Sequence, residues 1–396
     1  MDNLSHSLVG VALARSVGPW FPRLRGPLAA AVIANNLPDI DHAWLELFED
    51  PRLAYLLHHR GHTHTLALAL PQALGTAAVA RLIDRQAAWR PLVAVSLVGV
   101  GLHLFFDYLN NYGLPPFWPI HPQRYQGDTL FILDPYLWAI LFPVAVVGAG
   151  ARLQAAGLLA LSAIAVTVSQ TATLAATSLW VAFAGLQAWV WWRPRAPVWA
   201  WGWVGAWLAV SGAASARVRS LLTQEWTERF PDEQLLDASI MPLPARPWCL
   251  LAVTTSDTGG DIATRSYRLR VARVSLLPSF EASQRCVLID GPRTLDLAPV
   301  AVQSPWFHWE GEWVRPTQEL QALVDDPVGG CRARQFLQVM RAPFWTDTLL
   351  GDLRYDFQEE LSFAEITRDG PCLGAVDFVS PTLSVLLRPA DAAHSP

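Results

Sequence analysis

Residues 135–170 read PYLWAILFPVAVVGAGARLQAAGLLALSAIAVTVSQ, with Arg152 as the single charge. The run does not stop there: from Pro135 to Ala216 there is no acidic residue, and Arg152, Arg193 and Arg195 are the only charges. A water-soluble domain does not leave so long a stretch this bare. Apolar segments of about 20 residues separated by isolated arginines are what a bilayer selects. The stretch therefore points to a membrane protein, with spans near Tyr136–Gly150, Gln154–Ser169, Leu174–Trp192 and Val198–Ala214.

Upstream, the same composition continues in shorter pieces at Leu4–Val17, Pro27–Leu37, Leu66–Ile83 and Pro91–Leu109. The expected fold is an α-helical polytopic membrane bundle of about seven to eight apolar helices over residues 1–216. Downstream, residues 217–396 carry 17 Arg against 24 Asp plus Glu and alternate short apolar runs with Gly-containing turns such as Ser256-Asp-Thr-Gly-Gly260. That pattern predicts a soluble, mainly β domain with one or two helices. Cys249, Cys286, Cys331 and Cys372 all fall in it. They are either two disulfides, in any of three pairings, or four buried thiols. The 396-residue chain has a net charge of −5, no lysine and no basic tract, which gives no reason to expect a nucleic-acid partner. Its start, Met1-Asp2-Asn3-Leu4, lacks the basic region of a cleaved signal peptide.

Arginines cluster at alternate connections, at 15–25, 81–90, 152 and 193–195. By the positive-inside bias those connections are cytoplasmic, and the C-terminal domain is extracytoplasmic. His6, Asp39–His42, His58–His64, His103–Asp107 and His121–Asp134 then all fall at the opposite ends of the apolar segments. Four of these residues sit within seven positions, His58-His59-Arg60-Gly61-His62-Thr63-His64. Imidazole mixed with carboxylate suits zinc, with manganese or iron as alternatives, better than calcium or magnesium.

Asp39 and Asp41 follow Pro38 and bracket one residue, so a turn there can aim both at one cation or use one to orient a histidine. His103 and Asp107 are four apart in an apolar helix and share its face, where an ionisable pair is costly and usually functional. His59 and His64 flank a turn that Gly61 would permit, and Arg60 offers a planar fork for a phosphate or carboxylate. The expected metal shell is His59, His64, Asp107 and one or both of Asp39 and Asp41, with His103 as ligand or orienting group. The other carboxylate, Arg60 and His103 are the expected catalytic residues. His58, His62, His6 and His121 read as weaker candidates, and Asp134 before Pro135 as a helix start.

The motifs Met1-Asp2-x-x-Ser5-His6-x-x-x-Gly10, Pro38-Asp39-x-Asp41-His42, His59-Arg60-Gly61-x-Thr63-His64 and His103-x-x-x-Asp107-x-x-x-x-Tyr112-Gly113, followed by a Pro-rich loop and Asp134-Pro135, resemble the YdjM-like family of bacterial inner-membrane proteins. The resemblance covers roughly residues 1–150. Pro242-x-Pro244-x-x-Pro247-Trp248 and Asp352-x-Arg354-Tyr355 are similar to features of its longer members. Ser5 and Thr65 stand where that family has threonine and serine.

The resemblance implies a membrane-bound metal-dependent hydrolase in the bacterial inner membrane. The expected reaction uses metal-activated water at the outer membrane face, on a membrane lipid or envelope substrate, with a phosphoester favoured by Arg60. The competing function is a non-catalytic membrane protein whose metal only ties helix ends together. Ion or proton transport is disfavoured, because the spans after Pro135 carry no acidic residue.

Overall fold

The computed structural model describes residues 1–146, 196–243, 246–260, 263–276, 286, 294–300, 304–356 and 362–374. The N-terminal part is helical: α1 (Asn3–Val17), α2 (Arg25–Ala34), α3 (His42–Leu45), α4 (Pro51–His58), α5 (Leu66–Ile83), α6 (Trp89–Tyr108) and α7 (Pro135–Val146). A 34-residue helix, α8 (Ala196–Arg229), leads into the C-terminal part, and the boundary expected at 216/217 falls inside it.

The expectation of seven to eight membrane helices is corrected. Among the described residues two helices, α5 and α6, are long and apolar enough to cross a membrane. At 1.5 Å per residue they reach about 27 and 30 Å, enough for a hydrocarbon core of about 30 Å. α2 and α7 are apolar but short, at 10 and 12 residues, and α1 has 15. In α8 the segment Val198–Ala214 dilutes its aliphatic residues with Trp, Gly and Ser and does not qualify. The expected spans Gln154–Ser169 and Leu174–Trp192, with Arg152, Arg193 and Arg195, lie outside the described residues.

Small residues bring the helices together. A Cβ on Gly99 would sit 2.7 Å from the Ala34 Cβ, so glycine is what lets α6 approach α2. Gly99, His103 and Asp107 follow one face of α6, and all three are buried or partly so against α2 and its exit. α2 ends where Asn35 and Asn36 turn their amides onto the Ala31 and Val32 carbonyls, at 2.9 and 2.8 Å. Pro38 then prevents the helix from resuming, and Leu37–Asp41 form a 3-10 turn.

The C-terminal part pairs four antiparallel strands in the order β1 (Gln234–Leu243), β2 (Arg246–Asp257), β3 (Ser266–Ser275) and β4 (Phe307–Pro316). Helices α9 (Thr317–Asp325) and α10 (Gly330–Val339) follow, then a small sheet of β5 (Pro343–Trp345), β6 (Leu349–Asp352) and β7 (Glu365–Thr367). This matches the mainly β expectation. Alternation gives the large sheet two apolar faces. Ile240, Leu250, Ala252 and Val274 meet the Val218, Leu221, Leu222 and Trp226 stripe of α8, while Met241, Leu251, Val253 and Val271 meet α10 and the small sheet. The cysteines pair as Cys249–Cys286 and Cys331–Cys372.

The second of these cores also takes in Leu53, Leu56 and Leu57 of α4. α4 is built for the purpose: Asp50 caps it, accepting from Leu53 N at 2.9 Å, and Pro51 occupies the first turn. Its leucines recur at helical spacing, and burying each is worth about 2 kcal/mol. Polar contacts reinforce the docking. Arg332 pairs with Asp50 at 2.6 Å, and Arg341 spans Asp128 and Asp237 at 2.8 and 2.7 Å. Arg354, held by Asp352, donates to the Asn111 carbonyl at 2.5 Å, and the Tyr355 hydroxyl reaches Asn111 Oδ1 at 3.2 Å.

Candidate metal centre

Four donor atoms converge where the exits of α2 and α6 meet the entry to α5: His64 Nε2, His103 Nε2, Asp39 Oδ1 and Asp107 Oδ2. His64 Nε2 lies 3.0 Å from His103 Nε2, 3.3 Å from Asp39 Oδ1 and 3.2 Å from Asp107 Oδ2. His103 Nε2 lies 3.6 Å from Asp39 Oδ1 and 3.4 Å from Asp107 Oδ2. For donors about 2.0–2.1 Å from a central zinc, the edges of a tetrahedron are about 3.3–3.4 Å. These five of the six edges bracket the spacing that a tetrahedral ion requires, and all four atoms lie within 4.8 Å of one another.

The tautomers fit as well. His103 Nδ1 lies 2.8 Å from the Asn35 carbonyl, which can only accept, so Nδ1 carries the proton and Nε2 presents its lone pair. His64 Nδ1 is engaged by the Thr63 hydroxyl at 3.0 Å, which leaves its Nε2 for the centre. Two imidazole nitrogens facing each other among carboxylates, with Asp107 Oδ2 fully buried and lacking a hydrogen bond, are groups that a divalent ion would satisfy.

Asp107 is surrounded by positive or ionisable groups. Its Oδ1 receives the Met1 α-amino group and lies 3.2 Å from His6 Nε2, and His6 stacks on His103 with ring centres 3.9 Å apart. Arg60 Nε is 3.0 Å from Asp107 Oδ2 but out of line for a hydrogen bond. The Arg60 guanidinium is otherwise spent on Asn110 Oδ1 at 2.9 Å and on the face of Tyr112. It is buried, so it stabilises the Asp107 carboxylate from within instead of presenting a fork to solvent. The left-handed residue of this turn is Arg60 itself, φ 54°, and not Gly61, whose φ is −92°. A non-glycine residue there costs on the order of 1–3 kcal/mol, which is met by Asp41 Oδ2 accepting from Arg60 N at 3.1 Å.

His59 sits apart from Asp107. As the residue that ends α4, it belongs with Asp41, its Nδ1 being 3.0 Å from Asp41 Oδ1. Asp39, Asp41, His42 and His59 form a second group whose ligand atoms lie within 4.8 Å of one another. Burial pushes the His59 pKa down to about 4, against the pull of Asp41. For Asp39 burial acts upward, but in the ion-free site the facing His64 and His103 outweigh it and hold the carboxyl well below its usual range. His58 stacks near Phe48, His62 meets the Trp118 edge, and His121 lies 3.3 Å from the Tyr125 hydroxyl. Asp134 caps α7, accepting from Leu137 N at 2.8 Å. His6 reaches the centre, although a lone histidine near the start of an apolar helix gave little signal beyond its place in the first motif.

Fold and site together describe a membrane-associated helical unit with buried His and Asp groups able to hold metal. Residues 1–176 match the family described as YdjM inner membrane protein, so the resemblance read from the motifs is borne out over that part of the chain. The chain is also 27% identical, over 144 residues, to the protein named Uncharacterized protein YfhP of Bacillus subtilis (strain 168). That match covers 35% of this chain and 43% of YfhP, so the chain spans less than half the length of that relative. No solved structure matches.

Proposed function

We propose that this protein is a membrane-bound metal-dependent hydrolase of the bacterial inner membrane, acting at the outer face on a lipid or envelope phosphoester. The observation that carries this reading is the convergence of His64, His103, Asp39 and Asp107 at tetrahedral spacing. A divalent ion at this cluster, zinc or else manganese or iron, would act as a Lewis acid toward the ester, and bringing the pKa of a bound water from about 16 toward about 7 would need a coordination position beyond the four buried side chains. The residues do the rest. Asn35 fixes the face that His103 presents, Thr63 fixes that of His64, and Arg60 sets its charge against Asp107. In the reaction a water oxygen forms the new P–O bond and the ester P–O bond breaks. One water proton goes to the leaving alcohol oxygen and the other to solvent.

The pair α5 and α6 supports the choice of membrane face. Arg81, Arg85 and Arg90 mark the end where they connect, and the metal-ligating residues lie at the other end. Two disulfides in the C-terminal part suit an oxidising compartment on the same side. Ile40, Trp44, Leu47 and Phe48 are exposed next to Asp41 and His42, an apolar rim suited to a substrate presented by a membrane.

A second reading, a structural ion that only joins helix ends, is favoured by one observation: all four donors of the first group are buried, Asp39 the most open at 7%. The two readings separate in one experiment on detergent-purified full-length protein. Metal content and hydrolysis of p-nitrophenyl phosphate and bis(p-nitrophenyl) phosphate are compared for the unmodified chain, His64→Ala and His103→Ala. The hydrolase reading requires both metal and turnover to fall in the variants. Metal without turnover on any phosphoester leaves the structural reading, and equal metal in all three removes both.

A further inference from the structure

The first donor group is closed, yet hydrolysis needs an ion with a position open to water. The second group has that property. Asp41 and His59 are buried, whereas His42 is exposed, so this group reaches from the interior to the surface. Asp39 is common to both groups. Its Oδ1 faces His64 and His103, and a carboxylate has a second oxygen to offer on its other side. The groups are also adjacent through His64, whose Nδ1 lies 3.8 Å from Asp41 Oδ2, and through the edge-on packing of the His59 and His64 rings at 5.8 Å.

We infer that the centre is dinuclear: a second divalent cation is held by Asp41, His42 and His59, with Asp39 bridging it to the ion of the buried group. This rests on the metal reading above and assigns the open position to the second ion. Two ions about 3.5–4 Å apart, joined by a carboxylate, clamp the attacking and leaving oxygens of an in-line displacement, which favours a phosphoester over an amide. The chain places His59 for this at the end of α4, where Tyr55 stacks on its ring at 4.5 Å and Arg124 holds its carbonyl at 2.9 Å. Both contacts fix the ring and its backbone before any ion arrives. Burial of Asp41 alone would be costly, and its three donors, His59 Nδ1, Arg60 N and Thr63 Oγ1, hold the carboxylate in place.

The test uses full-length protein in detergent, stripped with chelator and reloaded with Zn(II) or Mn(II) alone. Metal per chain is measured by mass spectrometry, and the Mn(II) form is examined by electron paramagnetic resonance. The expected result is about two ions per chain with an exchange-coupled Mn(II) signal. His42→Ala, at an exposed position, and His59→Ala should each lower the content to about one and leave an uncoupled signal. Asp39→Asn should abolish the coupling, and His62→Ala, outside both groups, should match the unmodified chain. One ion per chain that His42→Ala and His59→Ala leave untouched would overturn the dinuclear centre while keeping the metal reading. No ion in the unmodified chain would remove that reading itself.

Discussion

Leu56→Ala tests the packing that carries the second donor group. Leu56 is 1% exposed and lies in the core shared with Met241, Leu251, Leu337 and Phe344. Truncation removes the transfer free energy of three carbons and leaves a cavity that the sheet and α10 cannot collapse into, which costs about 3–5 kcal/mol. That is a large part of a domain stability of about 5–15 kcal/mol. Leu82→Ala is the control, because Leu82 is 71% exposed on α5 and should change stability by less than about 0.5 kcal/mol. Denaturant unfolding in detergent, followed by tryptophan fluorescence, reads both. The site should respond unevenly. His59 ends α4, so cation retention by the second group should fall, while Asp39, His64, His103 and Asp107 are on other elements and should retain any ion they hold. Equal stability for Leu56→Ala and Leu82→Ala, or loss of both ions at once, would refute the reasoning.

Three further outcomes follow. Burial raises the Asp134 pKa from 3.8 to about 6, so the folded protein binds the proton more tightly than the unfolded chain and stability falls as pH rises between those values. Asp134→Asn keeps one oxygen for Leu137 N but sets an amide NH2 against Trp207 Nε1, so at pH 7 it should gain less than the about 3 kcal/mol that the shift corresponds to, and the gain should shrink toward pH 4 in pH-dependent melting. Gly99→Ala should lower the melting midpoint by the equivalent of about 1–3 kcal/mol and displace Asn35 from His103, because its Cβ would meet Ala34 Cβ at 2.7 Å and Asn35 Nδ2 at 3.1 Å. Gly101→Ala, with nothing within 4 Å, should be neutral or stabilising. A periplasm-active reporter fused after Ser220 should work and a cytoplasm-active one should be silent; the reverse pattern would overturn the orientation.

How much of this could be read from the chain depends on range. The pairing of His103 with Asp107 follows from helical periodicity, and the 3-10 turn at Leu37–Asp41 from Asn-Asn-Leu-Pro, so three of the four buried donors were legible as local patterns. The partition of the histidine motif was not. His59 and His64 are five residues apart, but the reversal at Arg60 sends one toward Asp41 and the other toward Asp107, and nothing in the composition identifies Arg60 as left-handed. The number of spans was over-read because apolar content does not report length: α2 is as apolar as a span but stops after 10 residues. The C-terminal sheet was visible in alternation, yet its grip on α4 was not, since Leu53, Leu56 and Leu57 read as an ordinary amphipathic face without a stated partner.

That grip has a bearing on biogenesis. The candidate donors are encoded within the first 107 residues, but α4, the segment that delivers one of them, is buried in a core whose other walls are made near residues 241–253, 336–345 and 364–366. A ribosome has therefore produced nearly the whole chain before the second donor group has its final shape. If that chain is threaded outward as it is made, the centre is completed only on the far side of the membrane, and a half-made protein carries no competent site in the cytoplasm.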